Sequence, residues 1–112
     1  MNKISRQDIV SANLGSLQEI QGHEQAKKRP CIIIQVLEVY QLVVIVPLTT
    51  KKSNLFHSVL IEKGTAGLKE DSFALCHQVR TISTKRIEKI TGNLNDRDFN
   101  KVLTVLADYL DL

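Results

Sequence analysis

The sequence predicts a small, mostly antiparallel β-barrel, or a strongly coiled sheet, closed by a C-terminal helix. Three observations point there. Cys31 to Tyr40 opens on three consecutive Ile residues and continues in alternation, the mark of a half-buried to buried strand. Leu42 to Val46 is a second, wholly apolar run directly behind it. Only the C-terminal segment carries a convincing helical stripe, with Phe99, Val102, Leu103, Leu106 and Leu110 recurring at spacings of three and four. Strands first, one helix last and short turns between them select this architecture. A chain of 112 residues can bury one core, so residues 1–112 read as a single domain.

Taken in order, Ile9 to Leu14 is a short mixed run and reads as the first strand. Gly15 to Lys28 is polar, carries Gly15 and Gly22, and reads as a loop that ends in the basic block Lys27-Lys28-Arg29. Pro30 biases Arg29 to an extended backbone. Gln41 between the two apolar runs implies a tight hairpin, although neither Gly nor Asn is present to ease it. Pro47 lacks an N–H, so its strand should end there or lie on an edge. Thr49 to Asn54 is a polar, basic loop, His57 to Ile61 a strand, and Lys63 to Asp71 a glycine-containing loop. Phe73 to Ile82 reads as one strand, and Thr84 to Lys89 as a helical turn capped by Thr84. Asn95 caps the final helix, and Asp96 and Asp98 fall in its first turn, where the helix dipole favours anions.

Composition removes several classes. With 43% hydrophobic and 24% charged residues the chain is an ordinary globule rather than a disordered one. The longest apolar run, Leu42 to Leu48, is too short to span a bilayer and contains Pro47. The first ten residues have no apolar signal core, so a cytoplasmic protein without membrane attachment is expected. Cys31 and Cys76 are far apart and in no metal spacing, and read as half-buried free thiols. His23, His57 and His77 form no metal pattern with them, so no metal and no cofactor are expected. Residues 1–90 carry a net charge of +5 and residues 91–112 a net of −2. A basic body of this kind suits a polyanion.

Four clusters can carry chemistry: Gly22-His23-Glu24-Gln25 running into Lys27-Lys28-Arg29-Pro30; Pro47-Leu48-Thr49-Thr50-Lys51-Lys52; His77-Gln78-Val79-Arg80-Thr81; and Lys85-Arg86 with Lys89. Taken singly, each is ordinary turn or strand chemistry. Together they supply what a phosphodiester requires. Fixed positive charge and donors surround a developing phosphorane, Arg offers a planar fork for phosphate oxygens, and Gln and further Arg residues reach bases or flanking phosphates. No acidic cluster suggests Mg²⁺, which disfavours a two-metal nuclease.

The chain resembles the MazF/PemK/Kid toxins of type II toxin–antitoxin systems. The resemblance rests on Asp8-Ile9-Val10, Gly22-His23-Glu24-Gln25, Arg29-Pro30, Val44-Ile45-Val46-Pro47-Leu48-Thr49, Gln78-Val79-Arg80-Thr81-Ile82, Arg86, and Gly92 with Leu94, in that order and spacing. It implies an SH3-like small barrel of the MazF/CcdB kind, a homodimer, a cognate antitoxin protein as partner, and cleavage of single-stranded RNA. In such toxins the RNA 2′-hydroxyl attacks the adjacent phosphate without a metal, leaving a 2′,3′-cyclic phosphate and a 5′-hydroxyl end. The family's Arg before Pro falls on Arg29 and its Thr at the strand end on Thr49. The proton acceptor is Glu24, His23 or His77; some relatives hold an acidic base where this chain has His77, which can take the same proton. His23, Gln25, Lys51, Lys52, Gln78 and Arg80 are then the RNA-binding set. Among five aromatics, Phe56 is the candidate stacking platform if one is exposed, although a Phe more often belongs to the core. Two departures stand out: Gln7 replaces a usual Gly, and the segment from Leu14 to Gly22 is longer than usual and lacks Pro.

Two other functions fit the same barrel. One is a gyrase-poisoning protein that acts through its chain end; such relatives end in a Trp–Gly–Ile-like tail, whereas this chain ends Tyr109-Leu110-Asp111-Leu112 and has no Trp. The other is a catalytically inactive nucleic-acid-binding domain.

Overall fold

The computed structural model describes residues 3–15, 28–52 and 56–112. Its strands are β1 (Asp8–Asn13), β2 (Lys28–Leu37), β3 (Leu42–Thr49), β4 (Ser58–Ile61), β5 (Ser72–Leu75), β6 (Arg80–Ser83) and β7 (Ile87–Asn93), followed by the helix α1 (Asp96–Tyr109). All recorded pairings are antiparallel, in the order β4-β5-β3-β2-β1-β7, with β6 also on β3.

The Ile run explains the shape. Cys31, Ile32 and Ile33 are wholly buried and Ile34 nearly so, because β2 has core on both faces. Ile32 and Ile34 pack with Val46, Leu48, Val59, Ile61, Cys76, Phe99, Val102 and Leu106 beneath α1. Cys31 and Ile33 pack with Val10, Val43, Ile45, Ile82 and Ile87 on the opposite face. The two thiols, expected to be half-buried, are fully buried in these separate clusters and are free. Burying both faces of one strand requires the sheet to curl over itself.

The curl does not become a closed ladder: β4 and β7 end the sheet without pairing to each other. A close backbone contact joins the two edges instead. The connection from β4 to β5 makes a 3-10 turn at Thr65–Gly67, which packs on β7. A Cβ built at Gly92 would fall on the Ala66 carbonyl oxygen, so only glycine permits this approach.

Several expected elements differ. The first hairpin turns through a 3-10 turn, Glu38–Tyr40, so β2 stops at Leu37; Gln41 adopts φ 56°, the left-handed conformation that Gly or Asn usually supplies. β3 runs through Pro47 to Thr49 and is central. It tolerates Pro47 because β6 covers Leu42–Ile45 and β5 covers Leu48–Thr49, which leaves residues 46–47 without a strand partner on that side. The 3-10 turn Cys76–Gln78 lies beside this gap and splits the expected strand Phe73–Ile82 into β5 and β6. Thr84–Arg86 is one 3-10 turn capped by Ser83 rather than Thr84, and Ile87–Asn93, expected to be partly helical, is strand.

The helix forms as expected. The Asn95 side-chain oxygen accepts the Asp98 N–H at 2.8 Å, and Phe99, Val102 and Leu106 enter the core. Leu110 lies beyond the helix and is exposed. Gln7 has φ 77°, the left-handed conformation in which glycine is at ease. Its side chain donates to the Leu94 carbonyl and to Asp96 Oδ1, both at 2.9 Å. Among the described residues, no helix is long and apolar enough to cross a membrane.

Candidate active site

The β2–β3 hairpin places Arg29 and Thr49 at the same end. Cys31 opposite Pro47 is the terminal pair of the ladder; Arg29 lies two residues before it and Thr49 two residues after it, and strand alternation puts each on the face of its neighbour in that pair. On its other side Arg29 is opposite Ala12 of β1, and Thr49 is opposite Phe73 of β5. Both site residues are half-buried. Thr49 Oγ1 accepts the Lys51 N–H at 3.2 Å. That fixes the hydroxyl as an acceptor toward its own backbone and leaves its proton to donate outward. Lys51 and Lys52 follow, exposed.

His77 and Gln78 sit in the 3-10 turn beside the Pro47 gap. Gln78 is exposed, whereas His77 is half-buried and its Nδ1 is buried with no hydrogen-bond partner among the described residues. Arg80, at the start of β6, is half-buried and donates from Nη1 to the Leu14 carbonyl at 3.1 Å. Arg86 Nη1 makes a longer reach to the Asn13 carbonyl, 3.5 Å. Phe56 is 97% exposed, which suits a stacking surface. His23, Glu24 and Gln25 lie outside the described residues.

Cys31 lies under this corner. Burial pushes its thiol up to about 12, while the Arg29 and Arg80 guanidiniums pull the other way; its Sγ donates weakly to the Arg29 carbonyl, 3.5 Å away. Two cations are thus felt at one buried sulfur. Among the described residues, neither has a carboxylate partner. Such unneutralised charge is costly to a fold and useful to an anion. Cys76 is likewise raised by burial, to about 11. Among the described residues, no group of three His, Cys, Asp or Glu side chains is placed to hold a metal ion.

The sequence reading missed one joint. His57 Nε2 lies 3.0 Å from Asp108 Oδ2, its ring meets Tyr109 edge-on with centroids 5.2 Å apart, and its carbonyl accepts the Cys76 N–H at 2.9 Å. It ties the turn bearing His77 to the last turn of α1. A lone His with partners about fifty residues downstream leaves no local pattern to read.

The fold and site define a small curled β-sheet protein backed by one helix, with a basic corner at the shared end of two central strands. Residues 5–110 match the family model described as PemK-like, MazF-like toxin of type II toxin–antitoxin system, and the chain belongs to that family. It is 34% identical over 94 residues to Endoribonuclease MazF of Staphylococcus saprophyticus, covering 80% of this chain and 78% of that protein. Among solved structures, MazF (Form-I) from Deinococcus radiodurans superposes with a TM-score of 0.78 at 18% identity, over 100% of both chains. An endoribonuclease in complex with its cognate antitoxin from Mycobacterial species gives 0.76 at 18%, over 98% of this chain and 97% of that one. Mycobacterium tuberculosis toxin MazF-mt6 gives 0.73 at 23%, over 94% and 97%. These structural likenesses establish a shared fold.

Proposed function

We propose that this MazF-type toxin is a sequence-selective, metal-independent endoribonuclease of single-stranded RNA that inhibits translation and growth in the cytoplasm. On this reading it works as a homodimer and is restrained by a cognate antitoxin. The placement of Arg29 and Thr49 at one end of the β2–β3 hairpin carries the reading; the endoribonuclease name of the staphylococcal relative and the antitoxin complex of a structural neighbour support it.

In the proposed reaction the RNA 2′-oxygen forms a bond to the adjacent phosphorus and the bond from phosphorus to the 5′-oxygen breaks. The 2′-hydroxyl proton passes to Glu24, His23 or His77, and the departing 5′-oxygen takes up a proton. Arg29 stabilises the charge that accumulates on the phosphorane and assists the leaving oxygen, an effect greatest in the transition state. Thr49 donates to a non-bridging oxygen, and Lys51 and Lys52 hold flanking phosphates.

The test is cleavage of single-stranded RNA in EDTA, with an all-deoxy strand of the same sequence as control. RNA should be cut and the deoxy strand should resist, because it lacks the nucleophile. Arg29→Ala should lower the rate by roughly 10²–10³-fold with a modest change in affinity. Arg29→Lys should recover little, since an ammonium has no planar fork. Thr49→Val should cost roughly 10–100-fold, the scale of one lost hydrogen bond to a charged group. A folded Arg29→Ala protein that cuts at the wild-type rate overturns this reading in favour of a binding module.

A further inference from the structure

Arg80 is on β6, a strand paired among the described residues to β3 alone, and it bonds the end of β1, a strand paired among them to β2 and β7. Its side chain therefore reaches between two strands that do not pair, on the side of the sheet where Ile45, opposite Arg80 on β3, shares a core cluster with Cys31. The pairing of β1 with β7 stops at Ala12 opposite Ile87. The Asn13 and Leu14 carbonyls beyond it have no ladder partner on that side, and Arg86 and Arg80 take them up in turn. The same stretch of β1 lies along the start of β2, with Ala12 opposite Arg29 and Asn13 opposite Lys28.

We propose that Arg80 is a positioning residue for Arg29. It anchors the end of β1 from across the sheet, and so fixes the backbone from which Arg29 projects, instead of contacting an RNA phosphate. Three observations carry this. The Leu14 carbonyl is a good neutral acceptor that already occupies one arm of the fork, at 3.1 Å. Leu14 is buried, so an unbonded carbonyl there costs free energy. Arg29 and Arg80 both lie near enough to Cys31 for their charges to act on its thiol, so the two guanidiniums share one neighbourhood. Exposed Lys51 and Lys52 remain to meet phosphate.

The inference rests on the endoribonuclease reading, and the experiment keeps the two apart. Arg80→Gln and Arg80→Lys are compared with wild type for kcat, KM and the salt dependence of single-stranded RNA affinity, with Lys52→Ala as the phosphate-contact control. Losing one phosphate contact on a single strand flattens the log–log salt slope by about 0.7. Lys52→Ala should show that loss. Arg80→Gln should keep the slope and KM and lose roughly 10–100-fold in kcat. Arg80→Lys should recover most of the kcat, because an ammonium can still reach a carbonyl. A flattened slope with raised KM in Arg80→Gln, or unchanged cutting, overturns the proposal. Amide hydrogen exchange at residues 12–14 reads the anchor without activity: it should quicken in Arg80→Gln and return in Arg80→Lys, and unchanged exchange also overturns the proposal. If wild-type protein cuts no RNA, the endoribonuclease reading falls, while exchange still decides whether Arg80 is an anchor.

Discussion

Cys31 shows at the scale of one residue how the fold sets a titration. Below pH 9, the ordinary value, the thiol is protonated in folded and unfolded chains alike. Between about 9 and 12 the unfolded chain ionises while the buried native thiol does not. Unfolding then releases a proton, so stability present below pH 9 declines as pH rises toward 12. Cys76 adds a narrower window, to about 11. Denaturant melts at pH 8, 9 and 10 should show Cys31→Ala starting less stable than wild type but losing stability less steeply with pH; parallel declines would refute the assignment. Gln7 is the opposite case, a residue whose oddity was visible in the sequence and whose cause was not. The family's glycine belongs there because φ is 77°, and Gln7 occupies it with two side-chain hydrogen bonds to Leu94 and Asp96, partners 87 and 89 positions away that no local pattern encodes.

Elements were legible where their pattern was undisturbed. The helix announced itself through its stripe and cap. The cap is reciprocal: Asn95 Oδ1 accepts the Asp98 N–H, and Asn95 Nδ2 donates to Asp98 Oδ2 at 3.0 Å. Asn95→Ala also removes a donor from the buried Asp98 carboxylate, leaving it the 3.8 Å contact with Arg97, and should cost about 1–2 kcal/mol, read as a thermal midpoint lower by roughly 5–10 °C; an unchanged midpoint would show the cap to be dispensable. β7 was illegible for a definite reason. Val10 is opposite Ile90 and Ala12 opposite Ile87, so Glu88 and Thr91 are extra residues in two bulges. The bulges turn a spacing of two into three, and Ile87 and Ile90 then meet the same core cluster at an interval that imitates a helix. Pro47 misled similarly, since its tolerance depends on a gap between two partner strands that are distant in sequence. At the site, Arg29 and Thr49 were legible because they end adjacent strands of one hairpin. The reach of Arg80 and the His57 joint were not, because both cross between elements that never pair.

At the scale of the molecule, the sheet stays open, and the turn after β4 meets β7 through a close backbone contact. Gly92→Ala tests that seam. Its Cβ would press on the Ala66 carbonyl, a backbone atom with little freedom, in a turn where Ala66 already holds φ 51°. A loss of about 1–3 kcal/mol is expected, measured by equilibrium unfolding; wild-type stability would mean the two sheet edges part without cost. The other whole-molecule feature is the double burial of β2. A surface strand offers evolution every second position as free space. Residues 31–34 offer none, because odd positions serve one core and even positions the other. A complete substitution map of this toxin would therefore show four adjacent intolerant columns and, on the proposed mechanism, Arg29 two positions upstream, intolerant for activity but lenient for folding. On that proposal the chain passes within a few residues from a stretch whose variation is limited by packing on both sides to a position whose variation is limited by chemistry.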